Sequence, residues 1–338
     1  MASIKDVARR AGVSVGTVSN VINRPEMVAE DTRRRVLAAI ELLGYVRSES
    51  ARHLRAGHSR IVALLVLDMG NPFFVELARG AERAARAAGL GVMVCNCAES
   101  PREEAEYLAL FAEQRVRGVL VTPAETSGRN LDDFRRHGIP FVLADRSAPA
   151  GEVCSVSMDD VTGGTLAVRH LLAGGHRRIA HVSGPMHLTQ CQDRYRGALL
   201  AAAEAGLSRD SVVLVGAERL DVAAGRDAGA RLLGLPERPT AVFCANDLIA
   251  LGVLQALYAA GVRVPEDVSL VGYDDIEFAA AATVPLTSVR RPAFRIGRTA
   301  AELLIEETSG DARDHQHRSV VFQPELVVRD SSMARRRD

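Results

Sequence analysis

Two groups of side chains in this chain have the types and spacing to do chemistry, and each would do a different kind. The first lies near the N-terminus, where Val15, Gly16, Thr17 and Asn20 are small or polar and fall on one side of a short helical stretch. Such a helix fits a DNA major groove about 12 Å wide, where Asn can pair with adenine and the Val and Thr methyls can meet the thymine methyl. Arg9, Arg10, Arg24 and the run from Arg33 to Arg35 can reach phosphates, which fix position without reading sequence. The second group comprises Asn71, Thr122, Asp145, Arg194, Asn246, Asp247, Asp274 and Asp275. Carboxylates accept hydroxyl hydrogens, arginine donates in a fork, and an aromatic ring such as that of Phe73 covers an apolar face. That mixture suits a neutral, polyhydroxylated small molecule.

Catalysis is not what these residues suggest. Residues 12–16 read Gly-Val-Ser-Val-Gly and match the G-x-S-x-G elbow of hydrolases, but that motif needs a buried strand before it. A short amphipathic helix precedes it instead, so Ser14 reads as a helix cap. There is no H-E-x-x-H, no G-x-x-x-x-G-K and no dinucleotide fingerprint. Cys95, Cys97, Cys154, Cys191 and Cys244 form an odd, scattered set without C-x-x-C spacing, expected to be small buried hydrophobes and not a disulfide frame or zinc site. His170, His176 and His181 spread over a helix, a loop and a strand and read as structural. The expectation is no enzyme, no metal and no cofactor.

The elements that must carry both groups can be read from periodicity. Ser3 can cap a first helix, with Asp6 completing a capping box; Ile4, Val7, Ala8 and Ala11 form its apolar face and Gly12 ends it. Ser14 can cap a second helix over 15–22 with Val18, Val21 and Ile22 inward. A third spans about 30–43 with Val36, Ala39, Ile40 and Leu43 inward, and Gly44 stops it. Two helices joined by a tight turn on a third make an all-α helix-turn-helix head.

From Ile61 onward, apolar runs of four to eight residues alternate with helical stretches predicted at 74–88, 102–114, 162–173, 194–205, 223–233 and 248–260. Such continuous apolar strands belong to parallel sheets covered on both faces, and the length favours two sheets over one. Chain crossovers are expected near 155–160, 285–290 and 320–324. Ligands in such sheets bind beyond the carboxyl ends of the strands, where the second group of residues lies.

Charge follows the same division. Residues 1–60 hold 11 basic and 6 acidic side chains, leaving 31 and 36 in the rest, so a net charge of zero conceals +5 offset by −5. A small basic head on an acidic body is a sign of polyanion binding by the head. The first ten residues place charge where a secretory signal needs an apolar core, and the apolar run 61–67 is too short to span a bilayer. The reading is a cytoplasmic protein with no membrane partner.

Residues 4–23 (IKDVARRAGVSVGTVSNVIN), Thr32 to Leu37 and Leu43-Gly44-Tyr45 resemble the DNA-binding head of the lactose-repressor (LacI/GalR) family. In the body, Asn71-Pro72-Phe73-Phe74, Arg194-Tyr195-Arg196-Gly197, Asn246-Asp247 and Gly272-Tyr273-Asp274-Asp275 match the family's motifs. The resemblance implies an α/β body of the periplasmic-binding-protein kind, with two doubly wound parallel-sheet lobes around a cleft. The implied division is a head at 1–46, a hinge at 47–58, an effector-binding and dimerisation domain at 59–330 and a tail at 331–338. Its N-lobe would take 59–159 and 290–320, its C-lobe 160–289 and 321–330.

The resemblance also implies roles. Val15, Gly16, Thr17 and Asn20 would read bases, and Ser3, Ser14, Arg24 and Arg33 would contact the backbone. Ala51, Leu54 and Arg55 would enter the minor groove, with Leu54 as the wedge that kinks the operator. Phe73, Asp145, Gln190, Arg194, Leu220, Asn246, Asp247 and Asp274 would contact an effector. Arg47 departs from the family's usual proline, Ala29 from its usual serine cap, and Ala223-Ala224 from its frequent Glu-Ser. The expected function is a transcriptional repressor controlled by a sugar or sugar derivative in the cleft. The alternative effector is a nucleobase or other non-sugar metabolite acting as co-repressor. One head offers one recognition helix, so a homodimer is expected on a pseudo-palindromic operator in double-stranded DNA.

Overall fold

Serine caps and glycine stops set the head. Ser3 Oγ accepts from Asp6 N while the Asp6 carboxylate accepts from Ser3 N, so both halves of a capping box are formed on α1 (Ile4–Ala11). Gly12 follows in the left-handed region at φ +65°, and Ser14 caps α2 (Val15–Asn23). A single 3₁₀ turn (Pro25–Met27) leads to α3 (Glu30–Leu43), closed by Gly44 at φ +56°. Ala29 makes no side-chain cap, so α3 relies on Glu30 and Asp31 in its first turn to complement the helix dipole. Val7, Ala8, Ala11, Val18, Val21, Val36 and Ala39 form the core of this unit.

The computed structural model describes residues 2–45, 59–124, 129–136, 138–149, 151–309 and 315–332. The chain folds as two units, Met1–Ser59 and Arg60–Asp338. The expected hinge residues Ala51, Leu54 and Arg55 and residues 333–338 of the expected tail 331–338 lie outside the described residues, while Ser331 and Ser332 belong to the fold instead, both buried, with Ser331 Oγ donating to the Leu270 carbonyl at 2.6 Å.

The second unit is two six-stranded sheets. The N-lobe takes β1 (Ile61–Val66), α4 (Pro72–Ala87), β2 (Gly91–Asn96), α5 (Pro101–Glu113), β3 (Gly118–Val121), α6 (Arg129–Arg136), β4 (Phe141–Ala144) and β5 (Ser155–Met158). The chain then crosses to the C-lobe for α7 (Asp160–Ala173), β6 (Ile179–Ser183), α8 (Thr189–Glu204), β7 (Val212–Gly216), α9 (Val222–Leu233) and β8 (Ala241–Cys244). The C-lobe continues with α10 (Asp247–Ala259), β9 (Ser269–Asp274), α11 (Glu277–Ala281) and β10 (Thr287–Arg290). Helix α12 (Ala293–Glu307) and β11 (Ser319–Phe322) return to the N-lobe, and β12 (Glu325–Val327) closes the C-lobe. Strand orders are β11-β5-β4-β3-β1-β2 and β12-β10-β9-β8-β6-β7, every pairing parallel except β10 with β12.

Parallel pairing explains the strand sequences. Residues 62–66 of β1 and all of β3, β4, β6 and β8 are buried, as two covered faces require. The expected lobe boundary at 320/321 falls inside β11, whose Val321 and Phe322 pair with Ser157 and Met158 of the N-lobe. The crossing comes after Phe322, because the ladder with β5 runs the full length of that strand. No described helix is long and apolar enough to cross a membrane.

One departure concerns α8, expected to begin at Arg194 and found to begin at Thr189. Leu188 precedes it as a buried apolar residue, and its carbonyl accepts from the amides of Cys191 and Gln192. Arg194 therefore sits in the second turn. Helices α7 and α8 touch backbone to backbone there: a Cβ on Gly164 would stand 2.2 Å from the Arg194 carbonyl oxygen, and one on Gly197 2.1 Å from that of Val161. Two glycines at the crossing thus set how deep Arg194 lies.

Candidate functional site

On α2, Val18 and Val21 are buried while Val15, Gly16 and Asn20 face out, Val15 with 41% of its surface exposed. Thr17 is half-buried: its amide donates to Ser14 Oγ at 3.0 Å and its hydroxyl lies 2.9 Å from the same oxygen. That second contact engages the Thr17 hydroxyl and leaves its methyl as the freer recognition element. Ser14 is engaged as a cap, with no strand before it, so the elbow motif has no nucleophile's setting. Ser3 and Arg24 are exposed, and Arg33 is half-buried with a loose 3.8 Å ion pair to Glu30. This unit presents a narrow, small-residue face with basic side chains on the same small domain.

The second site is built at the carboxyl ends of the strands of both lobes, where loops leave the sheets. Leu67, Asp68, Asn71, Phe73, Phe74, Glu99 and Asp145 line a cavity from the N-lobe. Gln190, Arg194, Leu220, Asn246 and Asp274 line it from the C-lobe, with Arg291 at the crossover after β10. Its free space for a water's centre is about 20 Å³, room for about one water molecule. Glu99, Asp145 and Asp274 hold positive φ of +59°, +61° and +98°, conformations that cost a non-glycine residue about 1–3 kcal/mol each. Strain at three of the cavity's carboxylates aims them where a regular strand end would not.

Arg291 occupies the centre. Its guanidinium donates to Asp274 at 3.0 Å and to Asp145, and lies 3.8 Å over the Phe73 ring. Asp145 belongs to the N-lobe and Asp274 to the C-lobe, so one side chain ties both. Asn71 caps α4 through Oδ1 and donates from Nδ2 to Asp274 at 3.0 Å, and Leu220 N donates to Glu99 at 3.4 Å. Burial pushes the Asp274 carboxyl up to about 6, against the opposing pull of Arg194 and the Asn71 hydrogen bond.

Arg194 is held from three sides. It donates to Asp160 at 2.9 Å and to the Ala245 carbonyl at 2.6 Å, and stacks 3.9 Å over Tyr273. Burial opposes its charge, but Asp160 more than compensates and its pKa rises above the ordinary value. Arg194 Nη2 and Asp145 Oδ2 are buried without hydrogen-bond partners among the described residues. Arg291 Nε is a second unpaired donor in the lining, so the cavity is chemically ready for a ligand that offers the complement.

Of the expected effector contacts, Phe73, Asp145, Gln190, Arg194, Leu220, Asn246 and Asp274 line this cavity. Asp247 does not. Its two oxygens accept from Ser288 Oγ at 2.7 Å and Ile276 N at 2.9 Å, which ties α10 to the β9 and β10 ends. A Cβ on Gly272 would sit 2.0 Å from Asp247 Oδ1, so the carboxylate fills the space that a glycine leaves. Asn246 is spent similarly in part, capping α10 and donating to the Leu220 carbonyl at 2.9 Å. Thr122 is buried and lies outside the lining.

Arg291 and Glu99 were missed by sequence reasoning. Both follow strands, β10 and β2, so the strand-end rule could have found them; Arg291 was hidden by its place in a crossover. The three histidines are structural. His170 meets Ser332 Oγ at 2.7 Å, and His176 bridges Thr240 and Ser269 at 2.9 and 3.0 Å. His181 stacks on Phe243 and is pushed down to about 3 by burial.

Residues 3–48 match the family described as bacterial regulatory proteins, lacI family, and residues 168–332 match the periplasmic binding protein-like domain. The HTH-type transcriptional repressor PurR of Photobacterium profundum is 36% identical over 332 residues, covering 98% of each chain. Among solved structures, a transcriptional regulator CelR–cellobiose complex is 32% identical with a TM-score of 0.73, covering 98% of this chain and 100% of that one. The lac repressor dimer bound to operator and the anti-inducer ONPF has a TM-score of 0.85 at 24% identity, over 98% and 99% of the two chains, a likeness of fold.

Proposed function

The chain belongs to the lacI family of bacterial regulatory proteins and is a DNA-binding transcriptional repressor; from that premise we propose a homodimer whose grip on a pseudo-palindromic operator is set by a small molecule in the cleft between the lobes. One observation carries the reading: the same chain joins an outward-facing α2 to a cavity where buried Arg194 and Asp145 each keep an unpaired polar atom. In this reading Val15, Gly16, Thr17 and Asn20 meet base edges, and Ser3, Ser14, Arg24 and Arg33 meet phosphates. Ala51, Leu54 and Arg55 enter the minor groove at the operator centre. Its work on DNA puts the protein in the cytoplasm, and no catalytic step is part of it.

The effector we assign is a nucleobase of the purine kind acting as co-repressor, in place of the sugar that strand-end hydroxyl acceptors alone would favour. A flat heterocycle can stack on Phe73, offer a carbonyl to Arg194 Nη2 and donate a ring N–H to Asp145 or Asp274. Relatives that match end to end are repressors named PurR, which points the same way. A sugar keeps one support: CelR, matched across 98% of this chain, is described in complex with cellobiose. An effector shifts operator affinity only by the difference in its own affinity for the two lobe arrangements.

The test is calorimetric titration of the purified full chain with purine bases and with cellobiose or ribose, followed by operator binding with any ligand found. Tightened operator binding by a purine base supports the reading. Binding of a sugar with release of operator would replace it. If deleting residues 1–58 left operator binding intact, the assignment of the head would fail.

A further inference from the structure

Five cysteines without C-x-x-C spacing gave no reason to expect a metal, yet the fold brings one of them to two histidines and a glutamate from distant parts of the chain. Cys154 lies immediately before β5, buried, with Sγ 3.0 Å from His315 Nε2 and 3.8 Å from His317 Nδ1. Glu307 is the last residue of α12, and its Oε2 is buried without a hydrogen-bond partner among the described residues. One ligand atom from each of the four lies within 4.8 Å of every other. We propose that Cys154, Glu307, His315 and His317 form a binding site for a divalent transition metal of the zinc class, which staples the edge of the N-lobe sheet.

The donor set selects the ion. One thiolate, two imidazoles and one carboxylate are the ligands of four-coordinate zinc, while magnesium and calcium prefer all-oxygen sites. With Zn–S about 2.3 Å and Zn–N about 2.0 Å, tetrahedral ligand atoms stand roughly 3.5 Å apart. The cluster therefore needs side-chain adjustment of about an ångström and no backbone rearrangement. Four protein ligands leave no open position, so the site is structural.

The surroundings fit that role. Arg318 N donates to Cys154 Sγ at 3.4 Å, the outer-shell support a bound thiolate uses, and Arg318 pairs with Glu306 beside the carboxylate ligand. Strand β11 stands at the edge of the sheet, and among the described residues it pairs with β5 alone. The metal would join the start of β5, the approach to β11 and the end of α12. Cys154 is fully buried, which suits a ligand better than a nucleophile open to substrate.

The experiment uses the full chain, free of any purification tag and stripped with chelator, titrated with Co(II) and then with Zn(II). Expected are one equivalent bound, a sulfur-to-cobalt charge-transfer band with intense visible bands of tetrahedral cobalt, loss of both when zinc displaces it, and a higher melting temperature with zinc. Cys154→Ser should abolish the charge-transfer band. His315→Ala combined with His317→Ala, checked as folded by circular dichroism, should weaken cobalt binding by more than the roughly 10–100-fold that loss of an outer-shell partner costs. Cys95 is the one cysteine not buried and serves as control, since Cys95→Ala should leave the band unchanged. The proposal is overturned if wild type takes up no stoichiometric cobalt, if the band survives Cys154→Ser, or if the double histidine variant binds with undiminished affinity.

Discussion

Replacing Arg291 by methionine tests the centre of the cleft, because it keeps most of the side chain's bulk and removes only the guanidinium. In the wild type that group pairs with Asp274 at 3.0 Å and with Asp145, all three side chains being at most 3% exposed. Removing one partner of a buried pair costs about 3–5 kcal/mol, because uncompensated charge stays behind. For a unit of this size, each kcal/mol lowers Tm by roughly 2 °C, so the expected fall is about 6–10 °C at neutral pH. The pH dependence distinguishes charge from packing. Without the guanidinium, the buried Asp274 carboxyl holds its proton more tightly than in the unfolded chain, whose aspartates titrate near 3.9. Stability of Arg291→Met therefore rises as pH falls through the elevated folded pKa, which is already about 6 for Asp274 in the wild type. Calorimetric scans from about pH 8 to about pH 5 should show the gap to wild type narrowing toward acid. Adding Asp145→Asn and Asp274→Asn should recover most of the loss, since a buried pair removed whole is near neutral. A gap under about 1 kcal/mol, or one equal at both ends of the pH range, would refute the electrostatic clamp and leave Arg291 as packing on Phe73.

Three further outcomes follow from the same geometry. Asn20→Ala should weaken cognate operator binding by about 1–3 kcal/mol and relax preference at one base pair, measured by anisotropy against operator and random DNA; equal loss on both would remove Asn20 from base reading. A ligand that donates a hydrogen bond to Asp274 should lose affinity as pH falls below about 6, where the carboxylate is protonated, and titration calorimetry across that range should show a plateau above it. Gly197→Ala should lower Tm and weaken effector binding together, since its methyl would stand 2.1 Å from the Val161 carbonyl and push α8, with Arg194, outward.

Much of this fold was legible because parallel strands, buried on both faces, announce themselves as short apolar runs, and because Ser3, Ser14, Gly12 and Gly44 punctuate the head. The strand-end rule then placed Asn71, Asp145, Arg194, Asn246 and Asp274 at the cavity lining, whereas Gln190 and Leu220 came only from the family resemblance. It failed at Asp247, where type and position were right but the carboxylate turns into the fold to hold Ser288 and Ile276. Which way a strand-end carboxylate turns depends on the neighbouring strand, here on the space beside Gly272, and no local pattern records it. Arg291 was missed for a related reason: crossovers were read as connections, although the one after β10 also ends a strand. The cluster around Cys154 was illegible except for the His-x-His at 315–317, since the thiol and Glu307 lie 153 positions apart in the chain. Metal spacing rules see only ligands that are close in sequence.

The cleft also constrains how a repressor of this construction can respond. Arg291 binds one carboxylate from each lobe and covers the face of Phe73, so an effector that stacks on that ring must displace a cation. Asn71 to Asp274 and Leu220 to Glu99 add two more bonds between the lobes. Without ligand, these contacts already favour one lobe arrangement; the ligand's contribution is what it gains beyond the bonds it replaces. A neutral ligand that accepts from Arg194 and donates to Asp145 uses atoms left unpaired, and leaves the arginine its bond to Asp274. Since the cavity has room for about one water, such a ligand enters with Arg291 moved off Phe73, and it then stabilises the lobe arrangement in which the arginine keeps Asp274. An anionic ligand instead draws Arg291 from both carboxylates and exposes two like charges to each other, which opens the lobes. Allosteric couplings are typically about 1–3 kcal/mol, no more than the roughly 3–5 kcal/mol that leaving the buried carboxylates without their cation costs, so the ligand's charge alone can decide the sign of the response. Comparing operator affinity in the presence of a neutral base and of its carboxylated analogue measures that sign directly. The neutral compound should tighten operator binding and the anion loosen it; the same sign for both would show that Arg291 is not the element through which the ligand acts.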